Sequence, residues 1–99
     1  MNSIVQFETD VCWLCGMPAT YHDPLDKHHC FGGACRKKSE KLGLFVYLHH
    51  GRCHIFGPES AHQCRQTSDK IKKAAQIAAM QTYGWSEDYF RREFGKSYL

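Results

Sequence analysis

Asp26-Lys27-His28-His29 runs directly into Cys30-Phe31-Gly32-Gly33. Two adjacent histidines behind an acid and ahead of a glycine-rich turn can aim one imidazole at a metal ion and the next at a water, the start of a hydrolytic site. By itself such a pair is more often a surface or core feature. Here it is joined downstream by His49, His50, Cys53, His54 and His62, and upstream by Cys12-Trp13-Leu14-Cys15. So many soft donors in 99 residues read as a metal-dependent, nuclease-like domain.

Cys12-x-x-Cys15-Gly16 has the spacing of a metal knuckle, in which a tight turn brings two thiolates onto one ion and the glycine relieves the turn. The competing use of Cys-x-x-Cys, a thioredoxin-like redox pair, needs a βαβ pattern around it that the chain does not offer. His22 and His49 read as surface histidines, and Cys30, Cys35 and Cys64 as buried thiols. Cys30 and Cys35 with Cys64 form the alternative, a second metal site. Asp26 either orients His28 or is a strand-end carboxylate.

Cysteines interleaved with histidines are metal ligands in a reducing compartment and a disulfide framework in a secreted one. No charged start, apolar run and small-residue cleavage site precedes Cys12, so reduced thiols are the expectation. No apolar run approaches the roughly 20 residues that span a bilayer, and no membrane is expected. The expectation is a soluble, intracellular protein. A single domain over residues 1–99 gains from a structural zinc, which contributes on the order of 10 kcal/mol to a small fold.

The net charge of +3 conceals a segregation. Residues 1–26 hold four acids and no Lys or Arg; residues 27–73 hold ten Lys and Arg against three acids. That basic middle coincides with the histidines, so the surface that holds a polyanion can carry the chemistry. The residues expected to meet phosphates are Lys27, Arg36, Lys37, Lys38, Lys41 and Arg52.

The elements that must position these groups follow from local pattern. Ser3 to Glu8 alternates weakly and suggests a short strand. Leu25 to Phe31 reads as a strand, on which His28 and His29 point to opposite faces and cannot do the same job. Ala34 to Gly43 is a basic loop or short helical turn. Leu44 to Leu48 is the clearest strand, paired with 25–31. From Ser68 or Asp69 a helix runs to Gly84 with Ile71, Ala74, Ala75, Ile77 and Ala78 as its apolar stripe, its start lying as early as 59–62 in one reading. Ser86 caps a second helix whose Tyr89, Phe90 and Phe94 face inward.

The Cys-x-x-Cys pair, Asp-x-His-His with Gly-Gly behind it, Val46-Tyr47-Leu48, the Cys/His knuckle and the later histidine resemble the HNH superfamily of ββα-metal nucleases. More narrowly, Arg36-Lys37-Lys38-Ser39-Glu40-Lys41 and Phe94-Gly95-Lys96-Ser97-Tyr98-Leu99 look like small HNH-like proteins of bacteriophages and prophages. The resemblance covers about Cys12 to Leu99. It implies an α+β fold, a zinc-stabilised ββα-metal domain in which 12–62 form the knuckle and core and 68–99 a helical part. It also implies a structural zinc on Cys12, Cys15, Cys53 and His50, with His49 the alternative to His50. A catalytic divalent ion (Mg2+, Mn2+ or Zn2+) falls on His28, His54 and His62, with His29 as general base. His62 must be brought back by a loop through Gly57-Pro58.

The activity so implied is phage-type DNA endonuclease, binding the phosphate backbone with little sequence preference, in the cytoplasm of a bacterial host. The superfamily's central Asn is absent, since Asn2 is the chain's single asparagine. That absence motivates the other reading, a non-catalytic zinc module that binds nucleic acid or a protein partner such as a host defence enzyme.

Overall fold

The computed structural model describes residues 2–99. In chain order it has strand β1 (Leu25–His29), a single 3-10 turn (Gly33–Cys35), helix α1 (Arg36–Leu42), strand β2 (Phe45–His49), a wide helical turn (His50–Ile55), helix α2 (Arg65–Tyr83) and helix α3 (Glu87–Phe94). This is an α+β chain with a two-stranded antiparallel sheet. No helix among the described residues is long and apolar enough to cross a membrane.

The register pairs Leu25 with His49, Lys27 with Tyr47 and His29 with Phe45 on one face, and Asp26 with Leu48 and His28 with Val46 on the other. Alternation therefore sends His28 and His29 to opposite sides of the hairpin. Val46 and Leu48, fully buried, meet Ile71, Ala75 and Ala79 of α2 and Phe90 of α3 in the core. These three α2 residues recur every fourth position, one ridge of the helix. The expected stripe is rotated: Ala79 is buried and Ile77 is exposed.

Ser3 to Glu8 is not a strand. It covers the free edge of β2 with side chains instead: the Tyr47 N–H donates to Gln6 Oε1 at 2.8 Å, and the Ser3 hydroxyl donates to the Phe45 carbonyl. The Trp13 N–H donates to the Tyr47 carbonyl at 2.8 Å. An edge so occupied cannot recruit a further strand. Gly43 ends α1 with φ +78°, and a Cβ there would meet the Asn2 carbonyl at 2.7 Å. Both facts require glycine.

Helix α2 begins three residues before Ser68, with Cys64 rather than Ser68 or Asp69 at its N-cap. Ser86 caps α3 as expected, its hydroxyl accepting the Tyr89 N–H. Phe90 and Phe94 stack at 4.7 Å and Phe31 joins Phe94 at 4.6 Å, whereas Tyr89 stays half-exposed.

Candidate metal centres

Two groups of donors converge, and the wide turn after β2 feeds both. The first is Cys12, Cys15, His49 and Cys53, whose ligand atoms all lie within 4.8 Å of one another. The Cys12 N–H donates to the Met17 carbonyl and the Gly16 N–H to the Cys12 carbonyl, folding the Cys-x-x-Cys segment into the expected knuckle. His49, the last residue of β2, is only 3% exposed. Its Nδ1 lies 3.3 Å from Cys15 Sγ and 3.9 Å from Cys53 Sγ. Its Nε2–H donates to the Pro18 carbonyl at 2.8 Å. A carbonyl only accepts, so the proton sits on Nε2 and the Nδ1 lone pair faces the sulfurs.

His49 therefore takes the place expected of His50, and it is not a surface histidine. The reason is local. The chain leaves β2 through a turn closed by a Phe56 N–H to Gly51 carbonyl bond at 2.8 Å, wider than an α-helical turn. The sheet register fixes His49 on the knuckle side, while His50 begins the turn and swings outward, its Nδ1 donating to Asp26 Oδ2 at 2.6 Å.

Burial raises the Cys12 thiol, but the backbone N–H groups of Cys15, His49 and Leu14 outweigh it and the net shift is downward. Burial and the adjoining Cys12 push Cys53 upward. One thiolate forms readily and the next resists sharing the site, a repulsion that a divalent cation between them would remove. Three sulfurs and one oriented imidazole suit a closed, four-coordinate zinc site. These residues can hold a metal ion.

The second group is His28, His54 and His62. The rings meet edge to face, with centroids 5.0 Å apart for His28 and His54, 5.9 Å for His28 and His62, and 4.7 Å for His54 and His62. His28 comes from β1. His54 follows Cys53 on the wide turn, so adjacent residues serve different clusters. His62 returns on the 56–64 loop: its N–H donates to the His54 carbonyl at 3.0 Å, and the Ala61 N–H to the Cys53 carbonyl at 2.8 Å. Gly57 permits that return, since a Cβ there would stand 2.1 Å from the Arg52 carbonyl oxygen.

His54 Nδ1 lies 3.0 Å from Asp26 Oδ2. A carboxylate accepts from Nδ1–H, which leaves Nε2 as a lone pair, 3.1 Å from His62 Nε2. Burial raises the Asp26 carboxyl, but hydrogen bonds from His54 and His50 hold it below its ordinary value. Asp26 thus orients His54 rather than His28, the carboxylate, histidine and ion arrangement of metal sites. Burial, then the charges of His54, His62, His29 and Lys72, pull His28 down to about 4. Burial and His54 also lower His62. Both imidazoles are neutral at pH 7, the form that ligates. Three nitrogens with His62 exposed leave room for a further ligand.

His29 stands apart from this cluster. Its Nε2 is 3.0 Å from Glu40 Oε1 of α1, which Lys27 Nζ also reaches at 3.2 Å. Of the cations expected to meet phosphates, Lys27 lies over the Phe45 ring at 4.3 Å, and Lys38 donates to the Glu93 carbonyl at 2.7 Å. Arg36, Lys37, Lys41 and Arg52 are exposed. Cys30, Cys35 and Cys64 do not converge on a third group among the described residues; Cys30 is buried, and burial pushes its thiol up to about 12.

Sequence reasoning missed Asp23, whose carboxylate accepts the Gly51 and Arg52 N–H groups at 2.7 and 3.1 Å and caps the wide turn. The Gly51 N–H in particular draws its carboxyl down. An acid two residues before the strand gives no sign that its partner lies 28 positions on. No family model, curated protein or solved structure matches this chain.

Proposed function

We propose that the chain is a metal-dependent nuclease that hydrolyses phosphodiester bonds in DNA, as its resemblance to the HNH superfamily implies. The observation that carries this reading is the three-histidine cluster with its Asp26 brace, open on the His62 side. His28, His54 and His62 would hold the divalent ion, and Cys12, Cys15, His49 and Cys53 a structural zinc. When bound, an ion in the open cluster supplies Lewis-acid stabilisation of charge on phosphate oxygens.

The chain's own residues do the rest. Asp26 fixes the tautomer and direction of His54. The knuckle holds Cys53, and through the next peptide bond His54, so the closed cluster positions the open one. The resemblance makes His29 the general base; Glu40 accepts its Nε2–H on the face of β1 opposite His28.

Plasmid nicking by wild type, His28→Ala and His29→Ala over Mg2+, Mn2+ and Zn2+, with an EDTA control, tests the proposal. Nicking disappears in His28→Ala and falls about 100-fold or more in His29→Ala. Failure of metal-loaded wild type to cut supercoiled, linear, branched and single-stranded DNA would overturn it.

One observation favours a second reading, a zinc module that binds nucleic acid or a protein partner without cutting. His29 is turned to Glu40, on the other face of β1 from His28. On that reading His29→Ala leaves DNA or partner binding unchanged.

A further inference from the structure

Gln76 lies mid-helix in α2 and is fully buried. A buried carboxamide costs stability unless it is satisfied, and residues 97 and 98 satisfy it. Its Nε2 donates to Ser97 Oγ at 3.0 Å and its Oε1 accepts the Tyr98 N–H at 2.7 Å. Ser97 in turn donates to Glu87 Oε2 at 2.6 Å. The segment after α3 is thereby tied to α2 at a defined register, and Tyr98 reaches the Phe31 ring at 5.7 Å.

The consequence of this tether is electrostatic. Lys72 Nζ of α2 and Lys96 Nζ lie 5.5 and 5.1 Å from the centroid of the Tyr98 ring. Neither lysine has a carboxylate partner among the described residues, whereas Arg65, on the same rim, faces Asp69 at 3.8 Å. Lys72 and Lys96 line a cleft of about 440 Å³ that opens beside His62; Ser68, Tyr98 and the Arg65–Asp69 pair are also in its wall, so the cations outnumber the one carboxylate there. Both ammonium groups stand against the Tyr98 ring and border the same cleft, where an anion would find positive charge from two elements.

From this tethered cation pair beside His62, we infer that the cleft is a phosphate subsite, in which Lys72 and Lys96 grip a backbone phosphate flanking the one presented to the three-histidine cluster. The inference rests on the nucleic-acid reading above and places the strand over α2 and residues 96–98 next to the open cluster. The cations of α1 that the sequence brings forward, Arg36 and Lys37, are exposed and lie outside this cleft. Lys72 and Lys96 are positioning residues and take no part in the bond cleavage.

The test is binding of zinc-loaded protein to a short fluorescent DNA duplex, followed by anisotropy over a range of salt. Lys72→Gln/Lys96→Gln weakens binding about tenfold and lowers the slope of log affinity against log salt by about 1.8, two phosphate contacts' worth. Arg36→Gln/Lys37→Gln, which removes the same charge, changes affinity less than about threefold. Zinc content and circular dichroism confirm that both variants are folded. Equal losses in the two variants, unchanged binding in the first, or no binding by wild type would overturn the subsite. Binding that depends on Lys72 and Lys96 in a protein that cuts nothing would keep the subsite and discard the nuclease.

Discussion

The two donor clusters share a turn and almost nothing else. The Cys12, Cys15, His49 and Cys53 group has four ligands, three sulfurs among them, and Cys12, His49 and Cys53 are buried. The His28, His54 and His62 group has three nitrogens, a carboxylate brace and an exposed member. A full soft shell holds an ion for stability, whereas an incomplete nitrogen shell leaves a position for a reacting molecule. Cys53 and His54 are neighbours in sequence, so whatever fixes the first aims the second. The difference teaches that in so short a chain one site is built to hold the other.

Breaking the closed cluster gives the largest effect. Cys12→Ser removes a sulfur from a group that can hold a metal ion, and a structural zinc contributes on the order of 10 kcal/mol to the folding of a small domain. The substitution abolishes the cooperative thermal transition seen by circular dichroism. A variant that melts as wild type does would remove the structural role from this cluster.

Breaking the brace of the open cluster acts next. Asp26→Asn leaves the fold but weakens metal binding there by about 10 to 100-fold, the usual cost of losing a carboxylate behind a ligating histidine. Isothermal titration of the weaker metal class reads this. An unchanged affinity would show that the Asp26 contact does not orient a ligand.

Acid acts on the open cluster through His28. His28 falls from 6.5 to about 4, burial being the first cause. The unfolded chain takes up this proton near pH 6.5 and the folded chain does not, so the contribution is complete above pH 6.5 and is lost as pH falls toward 4. Between pH 7 and 5.5, urea unfolding of protein stripped of weakly bound metal loses about 1 kcal/mol through this group. In His28→Gln that part of the slope vanishes, and a slope that persists in full would assign it elsewhere. The smallest effect belongs to His50, which is exposed, bonded to Asp26 and edge-on to Phe56: His50→Gln alters metal content at neither cluster and stability by less than about 0.5 kcal/mol.

What the sequence made legible was what spacing alone controls. Cys12-x-x-Cys15 closes a local turn, and the β-branched and aromatic run at 44–48 supplies most of β2, which runs one residue later, Phe45–His49. The His28, His54 and His62 set, which the resemblance rather than spacing supplies, converges because the Gly57-Pro58 loop returns the chain. Choices set by distant partners were not legible. Whether His49 or His50 joined the knuckle depended on the width of a turn capped by Asp23, far upstream. The Ser3 to Glu8 segment lost its strand because Gln6 meets Tyr47 by its side chain, a contact 41 residues apart. The lysines beside the open cluster depend on Gln76 meeting Tyr98, which no local pattern announces.

The two clusters are expected to hold two ions in unlike shells. Native mass spectrometry of zinc-loaded wild type, His54→Ala and His49→Ala counts them directly. Two zinc ions in wild type, one in folded His54→Ala, and loss of both with unfolding in His49→Ala are predicted. A single ion in wild type that His54→Ala retains would contradict it, leaving the three histidines as a cluster that binds no metal.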